Sequence, residues 1–249
     1  MYLIQLRDCQ RKSSKGEIRN ILTILGTGHK GNTRAIVDLF LEEFKGEDVK
    51  FDELVLPKDF EHFCGGCANC ILKTEEVCPH YDELSDIVER MEKADLIILA
   101  SPVYCGSCTS GMNALLDHLA FMWLVHRPKK SMFSKVGLVI TTAGGSGVKA
   151  TVKLLKQNLF YWGVPSIYKY GVTTMKMGGN YKDYEHKDKI KKQVSKKAKK
   201  VKKALEKRKV GFKTKFFFKL FGMTQKNGWN KADVTYWKEQ GWLDGKKPY

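Results

Sequence analysis

Apolar residues along the chain follow two different spacings: short β-branched runs, and longer stretches in which they recur every three or four residues. Each of the first four runs is followed by a stretch with helical periodicity. The predicted strands are Ile21–Leu25, Val49–Leu56, Asp95–Ala100, Val136–Thr141 and Ser166–Val172. The predicted helices run from Ala35 to Phe44, Tyr81 to Lys93, Met112 to Ala120 and Val148 to Tyr161. This alternation predicts an α/β fold with a parallel sheet covered on both faces.

Three loops rich in glycine or proline follow the first, third and fourth predicted strands. They read GTGHKGNT after Leu25, SPVYCGSC after Ala100 and TTAGGSG at the end of the fourth strand. Five strands fit a doubly wound sheet of order 2-1-3-4-5, in which ligands bind at the carboxyl ends of the strands near the switch point. We therefore expect the three loops to form one ligand site.

The first loop has the features of a phosphate site. Its glycines allow tight turns, and Asn32 and Thr33 open a helix whose first N–H groups lack partners within the helix. Thr27 and Thr33 add hydroxyls, and Lys30 adds a positive charge. The loop matches neither GxxxxGK[ST] nor GxGxxG, so it suits a phosphate monoester better than a nucleoside triphosphate or a dinucleotide. Taken alone, it is equally compatible with an ordinary strand-to-helix turn.

Together the three loops resemble those of the NAD(P)H-dependent FMN reductases, a group of flavodoxin-like proteins, over roughly residues 20–172. The chain departs from that pattern at Thr27 and Gly28, where Ser-Pro is common. The resemblance implies FMN as the carrier of the chemistry, NAD(P)H as a transient electron donor and no catalytic side chain. The implied FMN-binding residues are Thr27, Gly28, His29, Lys30, Gly31, Asn32 and Thr33 in the first loop, Pro102, Val103, Tyr104, Cys105 and Gly106 in the second, and Ala143, Gly144 and Gly145 in the third.

Four of the seven cysteines lie in the loop after the second strand. Cys64, Cys67, Cys70 and Cys78 form C-x2-C-x2-C-x7-C, a spacing that gives a four-thiolate ligand set. A zinc ion held by these four thiolates, or by three with His62 or His80, and a loop of free thiols both stay open.

The compact cysteine spacing resembles that of the iron-sulfur flavoproteins, members of the same group, and implies a 4Fe-4S cluster at this position. A second C-x-x-C, Cys105 and Cys108, lies inside the flavin loop. It is interpreted as a packing feature more readily than as a redox pair beside the flavin.

The positive charge is concentrated near the C-terminus. The chain has a formal net charge of +17, and residues 187–219 hold sixteen Lys/Arg against two acids, which leaves only about +3 elsewhere. An apolar stripe in this region, at Ile190, Val194, Ala198, Val201 and Leu205, predicts a helix with a broad lysine face. The sequence thus divides into an N-terminal extension (1–19), a flavodoxin-like domain (20–175) with a cysteine-rich loop (62–80), and a basic helical appendage (176–249).

The role of the basic region has several interpretations. The stripe indicates packing on this or a neighbouring subunit, whereas the lysines with the phenylalanines of residues 212–221 indicate an anionic membrane surface. Docking of an acidic carrier such as a ferredoxin is a third interpretation. Nucleic acid is not expected, because no binding motif accompanies the charge. The tryptophan-rich residues 229–245 are expected to be an ordered, docked terminus.

The sequence as a whole predicts an FMN-dependent oxidoreductase that takes electrons from NAD(P)H or a reduced carrier, with a 4Fe-4S cluster. The alternatives are a non-catalytic flavin and iron-sulfur electron carrier, and a partner or membrane adaptor that uses the basic tail. A homo-oligomer is expected. No apolar run of about 18 residues occurs and the first residues lack a secretory pattern, which predicts a cytoplasmic protein.

Overall fold

The computed structural model describes residues 20–175 and 186–249, so the N-terminal extension lies outside the described residues. It contains five strands: β1 Asn20–Leu25, β2 Lys50–Val55, β3 Leu96–Pro102, β4 Val136–Ala143 and β5 Ser166–Thr173. All neighbouring strands pair in parallel, in the order β2-β1-β3-β4-β5. The predicted doubly wound fold is confirmed, and β3 and β4 each extend two residues beyond their predicted ends.

Helices cover both faces of this sheet and continue beyond it toward the C-terminus. They are α1 Asn32–Phe44, α2 Asn69–Leu72, α3 Tyr81–Lys93, α4 Ser110–His118, α5 Val148–Tyr161, α6 Lys187–Lys207, α7 Phe212–Lys226 and α8 Lys231–Glu239. Short 3-10 helices occur at Glu75–Val77, Leu119–Met122 and Lys130–Ser134. In the described part of the chain, none of the helices combines the length and the apolar character needed to cross a bilayer.

Side chains of the central strands alternate between two apolar cores because successive residues of a strand point to opposite faces. On β3, Ile97 and Leu99 pack with α3, α4 and α5, whereas Leu96, Ile98 and Ala100 pack on the α1 side. Both faces are therefore buried. This explains why the strand is a continuous apolar run rather than an alternating one.

Helix α6 is part of the sheet's own core. Its apolar stripe is buried in one cluster with Phe40 of α1 and Tyr170 of β5, and burial raises the pKa of the Tyr170 hydroxyl to about 12. The stripe therefore covers the α1 face of the sheet, while the lysines of the helix face outward. The division of the chain at residue 175 stays a prediction, but the first helix beyond it packs on the sheet.

A third apolar cluster fixes the last two helices. Phe218 of α7 and Trp237 of α8 pack with Trp242, Phe133 and Leu124. The Trp237 indole N–H also donates to the His126 carbonyl oxygen at 2.6 Å. The tryptophan-rich end of the chain is thus docked, as its composition predicted.

Replacing Leu205 tests whether α6 supports the fold. Leu205 is fully buried, so Leu205→Ala removes packed methyl groups and should lower the free energy of unfolding by about 2–4 kcal/mol. The exposed Lys203→Ala, two residues away, should change it by less than about 0.5 kcal/mol. Urea denaturation measures both, and equal stability of the two variants would show that α6 does not contribute to the core.

Candidate functional site

Three loops leave the same edge of the sheet, at the carboxyl ends of β1, β3 and β4. These strands lie side by side, with Leu25 opposite Ala100 and Pro102 opposite Thr142. Backbone hydrogen bonds continue this alignment past the strand ends, from Gly26 N–H to Ala100 O at 2.7 Å and from Val103 N–H to Thr142 O at 2.8 Å. The loops therefore begin at the same level of the sheet.

The loop after β1 leads into the N-terminus of α1. Gly31 occupies the capping position and has no side chain with which to cap the first turn. The first N–H groups of the helix, together with its dipole, therefore favour a bound anion. Thr27 Oγ1 accepts a hydrogen bond from His29 N–H at 3.1 Å, while the His29 and Lys30 side chains are exposed beside the loop.

A buried hydroxyl pair joins the first loop to the end of β4. The Oγ1 atoms of Thr33 and Thr142 are 2.7 Å apart, and both residues are buried. This bond fixes the start of α1 against the strand from which the third loop leaves. The first and third loops are thereby held in fixed positions relative to each other.

The loop after β3 is shaped by a tight turn. Tyr104 and Ser107 exchange two backbone hydrogen bonds of 2.9 and 3.0 Å, and Cys105 (φ 49°) and Gly106 (φ 78°) between them both have left-handed backbone. Positive φ at both central positions is the signature of a type I′ turn. The turn presents Tyr104 at the surface with 53% of its area exposed. Its ring is available to pack beside a planar ligand.

The third loop touches the second one through Gly147. This residue has φ 91°, and a Cβ atom there would lie only 2.5 Å from Val103 Cγ1. At Gly145, in contrast, a Cβ atom would meet nothing within 4 Å. The structure thus brings the three predicted FMN-binding segments together at one edge and leaves open space in front of Gly145. The roles of the individual residues stay predictions.

The second C-x-x-C differs at its two positions. Cys105 is exposed, whereas Cys108 is buried and donates its S–H to Asn113 Oδ1 at 3.1 Å. Burial raises the pKa of the Cys108 thiol to about 11. Because thiol exchange requires a thiolate, this geometry favours the packing interpretation of Cys108.

The cysteine-rich loop folds back on itself between Cys64 and Cys70. Gly66 (φ 68°) and Ala68 (φ 56°) both adopt left-handed backbone, which turns the chain twice before α2 begins. Cys64 and Cys67 are exposed, Cys70 and Cys78 are half-buried, and none of the described cysteines forms a disulfide.

The other three thiols of this loop lie close enough to Cys70 to affect its pKa. Burial raises the pKa of Cys70, and the charges of Cys78, Cys64 and Cys67 raise it further. Four thiolates are the donor set of an iron-sulfur cluster, but among the described residues the ligand atoms that lie within 4.8 Å of one another are those of Cys78, His80 and His118, without Cys64, Cys67 and Cys70.

Two histidines adjoin the fourth cysteine. The ligand atoms of Cys78, His80 and His118 lie within 4.8 Å of one another. His118 Nδ1 donates to Ala114 O at 2.7 Å, which leaves its Nε2 to face His80 Nδ1 at 2.9 Å. His62 stacks on His80 with ring centroids 4.2 Å apart. The zinc alternative thus gains His118, a buried residue that the cysteine spacing could not indicate.

A buried arginine supports the cysteine-rich loop through hydrogen bonds to its backbone. The guanidinium of Arg127 donates to the carbonyl oxygens of Cys70 and, at 3.2 Å, of Ile71. The same group binds Glu75 at 3.2 Å and Asp233 of α8 at 2.5 Å. Asp233 is fully buried, and Arg127 compensates the charge of its carboxylate.

The neighbours of Arg127 extend the network. His126 Nδ1 lies 2.8 Å from Asp233, and Asn230 Nδ2 donates to Ile71 O at 2.9 Å. Burial alone would raise the pKa of Glu75, but the charges of Lys129, 3.0 Å away, and Arg127 outweigh burial and lower it. The C-terminal helix is therefore bonded to the predicted metal loop.

The sequence comparison assigns these loops to a family. The family model described as NADPH-dependent FMN reductase matches residues 19–176, which is well over half of the chain. The chain belongs to this family. The FMN reductase match covers all five strands and the cysteine loop, and it ends before α6.

Curated relatives of this chain include proteins named iron-sulfur flavoprotein. One from Archaeoglobus fulgidus is 27% identical over 143 residues, which are 57% of this chain and 62% of the relative. Another from Methanosarcina thermophila is 30% identical over 125 residues, which are 50% of this chain and 63% of the relative. The chain thus spans somewhat less than two thirds of the length of these relatives.

Solved structures with low sequence identity share the fold of this FMN reductase family member. An NAD(P)H:quinone oxidoreductase from Methanothermobacter marburgensis has a TM-score of 0.58 at 14% identity, covering 76% of this chain and 98% of its own. An FMN-dependent NADH-azoreductase from Bacillus anthracis in complex with FMN has a TM-score of 0.55 at 12% identity, covering 74% and 99%. The shared fold extends over nearly the full length of both solved structures and over about three quarters of this chain.

Two glycines of the third loop form a matched pair for testing the loop geometry. Gly147→Ala forces a side chain into a left-handed backbone and against Val103, so it should lower the stability of the flavin-free protein by about 1–3 kcal/mol. Gly145→Ala adds the same methyl group to open space and should leave that stability nearly unchanged. Thermal unfolding compares them, and equal melting temperatures would contradict the close contact between the loops.

Proposed function

We propose that this chain binds FMN at the three loops, holds a 4Fe-4S cluster on Cys64, Cys67, Cys70 and Cys78, and oxidises NAD(P)H or a reduced carrier. The observation that carries the proposal is the convergence of the three loops at the carboxyl edge of the sheet, in a chain that belongs to the FMN reductase family. The relatives named iron-sulfur flavoprotein support the second cofactor.

The first loop would hold the phosphate of FMN. The uncapped start of α1 supplies N–H groups and the positive end of the helix dipole, and Thr33 adds a hydroxyl fixed by Thr142. Lys30, in the same loop, adds a positive charge. One phosphate site of this kind accommodates a monoester, which favours FMN over FAD.

The other two loops would hold the flavin ring. Tyr104 can pack beside it, and the open space at Gly145 leaves room for the ring edge against backbone N–H groups. When bound, FMN exchanges electrons in pairs or singly, and an iron-sulfur cluster exchanges one at a time. Protein groups are then needed to orient the flavin and tune its potential, so no general acid or base is assigned.

The cysteine loop would hold the cluster on four thiolates. Arg127 places a fixed positive charge beside Cys70 and bonds its carbonyl oxygen, which counteracts the mutual repulsion of the thiolates. Both the charge near a cluster and the hydrogen bonds around it shift its reduction potential. We therefore assign Arg127 a positioning role at this site.

A non-catalytic electron carrier is the second candidate. It is favoured by the exposed apolar side chains around the cysteine loop, Phe63, Leu72 and Val77, which offer a protein partner a contact surface beside the exposed Cys64 and Cys67. Steady oxidation of NADH or NADPH by the FMN-loaded protein supports the enzyme. No such oxidation, combined with rapid reduction by a ferredoxin, supports the carrier.

Thr33 tests the flavin site. Thr33→Val keeps the shape of the side chain but removes the hydroxyl that we propose contacts the phosphate, and it leaves the Thr142 hydroxyl without this partner. We expect the Kd for FMN to rise at least about tenfold, because a hydrogen bond to a charged group contributes roughly 1.5–3 kcal/mol. The exposed Thr235→Val on α8 is the control and should bind FMN normally. Fluorescence titration of the apo protein measures both, and an unchanged Kd in Thr33→Val would refute the phosphate assignment.

Cys67 tests the cluster. After strictly anaerobic purification, Cys67→Ala should lose the iron and sulfide while keeping FMN, because the phosphate loop is a separate element. Cys105→Ala, which changes another exposed cysteine in the candidate flavin loop, should keep the iron. Iron, zinc and sulfide analysis decides the outcome. If the wild-type protein contains zinc and His118→Ala loses it, the cluster proposal is wrong. The loop would then hold a mononuclear zinc site on Cys78, His80 and His118.

A further inference from the structure

Helix α7 exposes an apolar face to solvent. Four large side chains on it are accessible, with exposed fractions of 83% for Phe212, 51% for Phe216, 42% for Leu220 and 56% for Met223. At 3.6 residues per turn these positions fall within an arc of about 80°. The four residues are called the α7 apolar face below.

The opposite side of the same helix is firmly anchored. Thr214, Phe218 and Gln225 are buried there, and the Gln225 side-chain N–H donates to Val125 O at 2.6 Å. Phe218 stacks on Trp237 with ring centroids 4.8 Å apart. The α7 apolar face is therefore displayed outward by a fixed helix.

Lysines border the α7 apolar face on both sides. Lys213 lies along one edge, and Lys215, Lys219 and Lys226 lie along the other, at helical positions that follow from their spacing. No acidic residue occurs between Glu206 and Asp233. Within α7 itself, the surface thus combines a central apolar strip with lysines as the only charged residues at its borders.

A groove runs along this face. It has a volume of about 550 Å³ and is lined by Phe212, Phe216, Met223, Trp242 and Tyr249, with lysines at the rim. Trp229, just beyond the end of the helix, is 59% exposed. Indole rings of this kind favour the headgroup region of a bilayer.

We propose that the α7 apolar face docks on an anionic lipid bilayer, with its phenylalanines in the acyl boundary and its lysines at the headgroups. An apolar strip bordered by lysines is the pattern of helices that lie in the membrane interface. A second copy of the chain is a poorer occupant, because the lysines on both faces would repel each other. The acidic headgroups of an anionic bilayer would instead neutralise these lysines.

The position of this surface leaves the candidate flavin site accessible. Helix α7 packs on Phe160 at the end of α5 and on Phe133 just before β4, and both mark the amino edge of the sheet. The three candidate flavin loops leave the carboxyl edge. A protein docked through α7 therefore directs those loops away from the bilayer, whether or not they hold FMN.

Vesicle binding tests the proposal on the full chain. Wild-type protein should cosediment with phosphatidylcholine vesicles that contain roughly 30% phosphatidylglycerol and bind weakly to pure phosphatidylcholine. A variant with Phe212→Ser, Phe216→Ser, Leu220→Gln and Met223→Gln should bind the anionic vesicles at least about tenfold more weakly, since less apolar area enters the acyl boundary. Phe51→Ser, an exposed phenylalanine on β2, should bind as wild type.

Two variants that lose the same number of positive charges distinguish docking through α7 from nonspecific electrostatic attraction to the vesicles. One variant carries Lys213, Lys215, Lys219 and Lys226 as Gln, and the other carries the exposed α6 residues Lys196, Lys199, Lys200 and Lys203 as Gln. Each loses four charges, but we expect the α7 variant to lose several-fold more affinity. Equal losses in both, together with full binding by the apolar variant, overturn the proposal in favour of diffuse charge attraction.

Sedimentation velocity tests whether a second copy of the chain, rather than a bilayer, covers the α7 apolar face. A concentration-dependent dimer that the apolar variant abolishes, in a protein that does not bind anionic vesicles, would assign the α7 apolar face to a second copy. Circular dichroism of each variant confirms that the helices are retained. Wild-type protein that binds anionic vesicles no more tightly than pure phosphatidylcholine overturns membrane docking, whether or not a dimer forms.

Discussion

The parallel register of β1, β3 and β4 is the constraint on which the candidate site depends. In a parallel sheet all carboxyl ends lie at one edge, so loops separated by about a hundred residues in the chain meet there. The register also places Thr142 at the level of the first loop, where its hydroxyl lies 2.7 Å from that of Thr33. The arrangement of the three loops is thus a consequence of strand pairing. The loop sequences only have to let the backbone approach a ligand closely and to supply hydrogen-bond donors to it.

A second constraint, the buried contact between Arg127 and Asp233, links the C-terminus to the cysteine loop. Removing one partner of a buried ion pair typically costs about 3–5 kcal/mol, because the remaining charge is left without compensation. Arg127 also bonds the carbonyl oxygens of Cys70 and Ile71, so α8 is held in place by the group that supports the predicted cluster. The C-terminal region therefore has at least two structural roles. Helix α6 covers the sheet, and α8 supports the cysteine-rich loop.

Much of this fold could be predicted from sequence because it depends on local patterns. The buried strands are continuous apolar runs, and the α6 stripe repeats at helical spacing. Arg127, Asp233 and His118 could not be placed in the site, since their roles arise from contacts such as the one that joins positions 106 residues apart. A weak signal did exist, because Asp233 is the first acidic residue after Glu206 in a basic stretch. The exposed face of α7 also required the structure, which shows that the α6 stripe is buried and the α7 residues are not.

We propose that one chain combines FMN at the sheet edge with a one-electron cluster on the cysteine-rich loop. An anaerobic reductive titration of the wild-type protein with dithionite, followed by visible absorption, tests it most directly. We expect uptake of about three electrons per chain, two by FMN and one by the cluster, with bleaching of both the flavin bands and the broad iron-sulfur shoulder. Uptake of only two electrons by a protein that contains FMN but no iron would contradict it.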